Sequence, residues 1–119
     1  MIAPALSGSD ARTPAIYSST EGWPKRELYG LTAQTRRAAL SVPTNIAEGA
    51  AKRGPRELRR YLDIALGSLS ELSYLLFFSK ERGLLDPEEW QRLEGMRSKA
   101  GRLVWGLYQW AQQRAQAPA

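Results

Sequence analysis

The chain has 119 residues, enough for one domain, and its 43% apolar and 24% charged residues describe a globular rather than a disordered composition. It contains no cysteine and no histidine, which removes disulfides, thiolate sites and the Ser-His-Asp and Cys-His arrangements of nucleophilic catalysis. A formal charge of +5, from 17 Lys+Arg against 12 Asp+Glu, favours anionic partners.

Residues 1–22 are rich in Ala, Ser, Thr, Pro and Gly and read as a tail or a degraded first helix, with apolar order hinted at only over Pro14–Tyr17. The opening Met1–Leu6 lacks the basic residue and longer apolar stretch of a secretory signal. The longest uninterrupted apolar run, Tyr74–Phe78, falls far short of the ~20 residues of a membrane span. A cytoplasmic protein without membrane association is expected. Helical patterning begins at Trp23, which sets a bundle domain over 23–115 and a short tail over 116–119.

The first clear helix is predicted from near Leu31 to about Lys52, with Thr32 as its N-cap. Leu31, Thr35, Ala38, Val42, Ile46 and Ala50 recur at helical spacing and form its apolar face. Pro43 interrupts it, deleting one backbone bond and crowding the carbonyl of Ala39, so a kink is expected there. A second helix is predicted from Pro55 to Arg82, stopped by Gly83. Its residues Leu58, Leu62, Ala65, Leu69, Leu72 and Leu76 alternate steps of four and three, a seam suited to antiparallel packing. The last helix opens with Asp86 as cap and Pro87 in the first turn. Its stripe is Trp90, Leu93, the stem of Arg97, Ala100, Val104, Leu107 and Ala111. The short connection makes these two helices a tight hairpin.

Five consecutive apolar positions, Tyr74–Phe78, point all the way around a helix at ~100° per residue. Only Leu76 lies on the seam. Tyr74, Phe77, Phe78 and, in the last helix, Trp105 therefore predict an interface between subunits.

Lys52, Arg53, Arg56, Arg59 and Arg60 fall within nine positions opposed only by Glu57. Lys52 and Arg53 suit a helix C-terminus, whereas Arg56 stands in the first turn of the next helix, where positive charge is unfavourable. Arg59 is placed to pair with Asp63 one turn on. The cluster is the candidate anion site, although no aromatic alternates with it along the sequence as on a base-stacking platform. None of the ten glycines fits GxxxxGK[ST] or GxGxxG. No catalytic residue, cofactor or metal site is assigned. An enzyme built on carboxylates such as Glu48 and Glu71 around a divalent metal is the least favoured reading.

The stretches ELYGLTAQTRRAALSVPTNIAEGAAKR at Glu27–Arg53 and ELRRYLDIALGSLSELSYLLFFSKERGLL at Glu57–Leu85 resemble the four-helix-bundle family of the 23S ribosomal RNA intervening-sequence proteins. The accessory variability determinant proteins of diversity-generating retroelements belong to the same group. The resemblance spans roughly Trp23–Trp110 and is carried by GLTxQxRRAAxSxPxNIAEG and ALGSLxEL. It implies an antiparallel up-and-down four-helix bundle that assembles into a ring, typically a homopentamer. It also implies a non-enzymatic role, which in the retroelement branch means binding a reverse transcriptase and nucleic acid. Arg36, Arg37, Pro43, Asn45, Glu48, Gly67, Ser68 and Glu71 fill the motif positions.

Read as residues, Arg36, Arg37, Asn45, Glu48 and Glu71 form a structural polar network, with Arg36 or Arg37 the expected partner of Glu71. Ser41 and Asn45 are placed to satisfy backbone groups freed by Pro43, and Gly67 and Ser68 to allow close helix approach. Family members begin with a long amphipathic helix ending in Tyr and then an aromatic-Pro pair. Tyr17 and Trp23-Pro24 fit that ending, but Pro14 and the weak periodicity upstream predict a short, distorted or replaced first helix. The expected function is a non-enzymatic oligomeric scaffold that binds RNA or DNA through its basic surface. The alternative is a protein adaptor whose ring surface docks a partner.

Overall fold

A computed structural model describes residues 12–116. Among these residues there are four α-helices and no strand: α1 (Arg12–Thr20), α2 (Ala33–Ala50), α3 (Pro55–Glu81) and α4 (Pro87–Gln116). The described part forms a rod of 53 × 25 × 22 Å.

α3 is the central element. Its whole predicted seam, Leu58, Leu62, Ala65, Leu69, Leu72 and Leu76, is buried. By length and composition α3 would also qualify as a membrane span, and its seam lies against α2 and α4. Toward one end of the rod, Leu58, Leu62, Ala65 and Leu69 join Val42 and Ile46 of α2 and Val104 and Ala111 of α4. Toward the other, Leu72 and Leu76 join Ile16, Ala38, Ala39, Leu85 and Leu93. Burying one such Leu, Ile or Val contributes ~1.5–3 kcal/mol, so the seam is the main stabilising feature.

The pairings fix how the helices lie. Arg37 of α2 meets Glu71 of α3, the Ser41 and Ser68 hydroxyls are 2.8 Å apart, and Gly49 packs against Leu58 and Tyr61. Partner numbers in α3 fall as those in α2 rise. Across the next pair, Lys80 lies over the Trp90 ring and the Ser73 hydroxyl faces the Glu94 carboxylate.

The connections follow local chemistry. Gly83 takes a left-handed φ of 77°, and the N–H groups of Gly83 and Leu84 return to the carbonyls of Lys80 and Ser79 at 3.0 and 2.9 Å. This closes the C-terminus of α3 as glycine stops do. Asp86 caps α4, its Oδ1 accepting the Glu89 N–H at 2.8 Å.

The first helical face needs correction at both ends. Thr32 does not cap α2: its backbone is helical, its side chain makes no capping bond and its buried hydroxyl has no partner among the described residues. The chain instead enters through a 3-10 turn, Lys25–Glu27, and a π turn, Leu28–Thr32, that leaves helical angles at Gly30. At the far end Gly49, not Ala50, faces inward. A Cβ at Gly49 would stand 2.8 Å from that of Tyr61, so glycine sets the closest approach of α2 to α3. A Cβ at Gly67 would meet nothing within 4 Å among the described residues, so Gly67 serves no such purpose there.

α2 runs unbroken through Pro43. The carbonyl that Pro43 deprives is that of Ala39, and it faces the Thr13 hydroxyl of α1 at 3.5 Å in the buried interior. Asn45 serves a different atom, donating from Nδ2 to the Ser41 carbonyl at 2.8 Å and to the Ser41 hydroxyl at 2.9 Å. α1 is fixed from several sides. Ile16 is fully buried, Arg36 donates from Nε to the Thr20 hydroxyl at 2.8 Å and lies 4.8 Å over the Tyr17 ring, and the Ser19 hydroxyl donates to Glu89 of α4.

Candidate nucleic-acid interface

The turn from α2 to α3 builds the site. Lys52 and Arg53 follow the last turn of α2, Gly54 reverses the chain with a φ of 88°, and Pro55 opens α3. With glycine in the capping position, no side chain among the described residues caps the free N–H groups of the first turn of α3. Those groups carry the partial positive charge of a 27-residue helix. Arg56, Arg59 and Arg60 add three guanidinium groups to it.

Two of the five predicted cations are partly neutralised. Lys52 Nζ is 3.7 Å from Glu48 Oε2 and 5.6 Å from the Tyr61 ring centre. Arg60 bonds to Glu57 at 3.2 Å and lies 4.5 Å over Tyr61, and the Glu57 hydrogen bond is the main cause holding its pKa above the ordinary value. Arg53, Arg56 and Arg59 make no ion pair among the described residues. The expected Arg59–Asp63 bridge is thus not formed. Asp63 instead shares a cleft of about 290 Å³ with Arg56, Arg59, Arg60 and Tyr108.

Tyr108 and its neighbours are what sequence spacing missed. Trp105 stacks on Tyr108 with ring centres 5.5 Å apart and planes 12° from parallel. Farther along α4, Arg114 lies 4.1 Å over the Trp110 ring. Both line a second cleft of about 250 Å³ with Gly49, Lys52, Gly54 and Pro55. Tyr61, Tyr108 and Trp110 therefore bring aromatic rings to a basic cluster that has few along its own sequence. The signal was present in the hairpin register: with Ser73 opposite Glu94 and Lys80 opposite Trp90, Tyr108 falls opposite Arg60.

The remaining predicted residues fall into separate contacts rather than one network. Glu71 accepts from Arg37, which also donates to Gln34. Arg36 serves α1, Asn45 serves Ser41, and Glu48 serves Lys52. Glu48 and Glu71 thus have separate cations, and among the described residues no three potential ligands converge to hold a metal.

The four residues assigned to an interface are exposed: Tyr74 64%, Phe77 47%, Phe78 40% and Trp105 50%. Tyr74 and Phe78 stack, their ring centres 6.1 Å apart, and they line a cleft with Leu31, Leu75, Glu27 and Gln34. Trp105 lies apart from them. Its neighbour Tyr108 faces the N-terminal turns of α3, roughly 20–27 Å along that helix from Tyr74 and Phe78.

Residues 9–106 match the family described as 23S rRNA-intervening sequence protein. The match begins upstream of α1 and takes in most of α4. No curated protein sequence matches the chain.

Proposed function

Given that the chain belongs to the 23S rRNA-intervening sequence protein family, we propose that it is a non-enzymatic scaffold that self-assembles and binds RNA or DNA at the basic end of the bundle. The observation that carries this reading is the state of Arg53, Arg56 and Arg59, which crowd an uncapped helix N-terminus without a carboxylate partner among the described residues. Cations at that end of a helix are repelled by its dipole. An anion relieves the repulsion, and a phosphate backbone offers anions in series.

In the proposed assembly, the bundle is antiparallel and up-and-down, in line with the falling partner numbers between α2 and α3. Copies join through the face carrying Tyr74, Phe77 and Phe78 into a closed ring, a pentamer. A ring repeats the basic end once per subunit, so a long nucleic acid engages several at once. The absence of histidine and cysteine and the separately paired Glu48 and Glu71 support a role without catalysis.

Fluorescence anisotropy with labelled RNA and DNA tests the binding. Affinity is expected to fall steeply with salt. Replacing Arg53, Arg56 and Arg60 together by Glu is expected to weaken binding at least tenfold and to flatten the log–log salt slope by about 2–3, as loss of three phosphate contacts requires. Binding unchanged by the triple substitution would overturn the assignment. Absence of binding, with capture of a single protein after nuclease treatment, would replace it with the adaptor reading.

A further inference from the structure

We propose that the cleft between α3 and α4 is a base-stacking site that selects single-stranded over duplex nucleic acid, with a base on Tyr108 and phosphates on Arg56, Arg59 and Arg60. This rests on the reading of the basic end as a nucleic-acid interface and goes beyond it by naming the strand state and the residue that reads it.

The cleft, of about 290 Å³, is lined by Arg56, Arg59, Arg60, Asp63 and Tyr108. Three guanidinium groups, an aromatic ring and one carboxylate match the parts of a nucleotide. The guanidinium groups meet phosphate as forked donors. The ring offers a π face to any base, whatever its identity. Asp63 repels phosphate and accepts from the amino groups of base edges, so the base belongs toward the carboxylate and the backbone toward the arginines.

The aromatic part is built rather than incidental. Tyr108 is half-buried and packs on the core, which holds its ring in place. Trp105 stacks on it, 5.5 Å away and within 12° of parallel, and is itself half-exposed. Within the chain a Trp exposed to that degree gains little from burial. As the continuation of a stack it extends the surface available to a base.

The selection follows from geometry. In a duplex the base faces are covered by their neighbours, and only edges and phosphates reach a protein surface. Duplex therefore meets the arginines of this cleft and not Tyr108. In a single strand a base turns out and meets both. Stacking makes no use of the 2′-hydroxyl, so single-stranded RNA and DNA are treated alike.

The test uses the full chain and one labelled oligonucleotide sequence as single-stranded RNA, single-stranded DNA and duplex DNA, at one fixed salt concentration. Both single strands are expected to bind at least about tenfold tighter than the duplex and within about threefold of each other. Tyr108→Leu is expected to lower single-strand affinity at least about fivefold and leave duplex affinity unchanged, while Tyr108→Phe, which keeps the ring, retains the preference. Tryptophan emission is expected to be quenched more by the single strands than by the duplex, and Trp105→Leu to reduce that quenching. Should Tyr108→Leu fail to fold, the wild-type strand preference and quenching decide. Equal affinity for single strand and duplex, without quenching, overturns the stacking site and leaves the basic interface standing. Absence of binding by every probe overturns both.

Discussion

Pro43 has no N–H to offer the carbonyl of Ala39, and the atom facing that carbonyl is the hydroxyl of Thr13, 3.5 Å away and 26 residues earlier in the chain. A buried carbonyl that loses its donor costs ~1–3 kcal/mol, with a bond this long at the low end. Thr13→Val is therefore expected to destabilise the protein by about 1 kcal/mol. With Pro43→Ala in the same chain, the restored N–H at position 43 serves the carbonyl from within α2, and the cost of Thr13→Val is expected to become smaller. Urea denaturation of the two single variants and the double variant measures the coupling. Additive effects would mean that Thr13 does not serve the site. Two glycines give a second contrast at this scale. Gly49→Ala drives a methyl group to 2.8 Å from the Tyr61 Cβ and is expected to cost about 1–3 kcal/mol, like other overpacking. Gly67→Ala meets nothing within 4 Å and is expected to gain about 0.5–1 kcal/mol from helix propensity. Thermal melts of the two variants should move in opposite directions.

Among the elements, α1 is tied to α4 by a contact sensitive to acid. Glu89 accepts from Arg92 at 2.8 and 2.9 Å and from the Ser19 hydroxyl of α1. These bonds, that of Arg92 first, hold its pKa down to about 2. The unfolded chain titrates near the ordinary glutamate value of about 4.3. The stabilisation is therefore complete above that value and is lost as pH falls toward 2. Glu89→Gln is expected to cost under about 1 kcal/mol at neutral pH, as suits a partly exposed pair, and to reduce the loss of stability between pH 4.5 and 2. Denaturation curves at pH 7 and pH 3 for both proteins check it. An unchanged acid slope would assign the acid sensitivity to other carboxylates.

What the sequence made legible divides along the same elements. The seams of α3 and α4 and their caps at Asp86 and Gly83 were readable because heptad spacing and terminal signals are local. The entry to α2 was not, since Thr32 looks like a cap and only the turns upstream take over its role. The basic cluster was visible as five nearby residues. Its aromatic partners were not, because Tyr108 and Trp110 come from a helix some fifty residues onward and reach Arg60 and Lys52 only through the register of the hairpin. Glu71 found the predicted Arg37 because both candidate arginines sat on one turn, whereas the role of Arg36 depended on α1, whose sequence carries little periodicity.

On the scale of the whole molecule, the proposed assembly rests on the apolar surface left over by the core. Tyr74 and Phe78 are 64% and 40% exposed, and Phe77 between them is half-exposed, its ring 5.1 Å from the Lys80 ammonium. None of the three belongs to either buried core cluster, so changing their outer face should leave the subunit folded. Tyr74→Glu with Phe78→Glu is expected to keep the helical circular-dichroism signal and to reduce the mass measured by light scattering to that of one chain, where the wild type is expected to give a multiple. A wild type that stays monomeric at every concentration would remove the ring. The same variant links assembly to binding. A short oligonucleotide occupies one basic end, so its affinity should be unchanged in the monomeric variant. A long RNA reaches several ends of a ring, and its affinity should fall by a factor of about 100 or more, the scale on which linked sites reinforce each other. Equal loss for short and long ligands would place the substituted residues in the nucleic-acid site itself, and no loss for either would mean that the subunits bind independently.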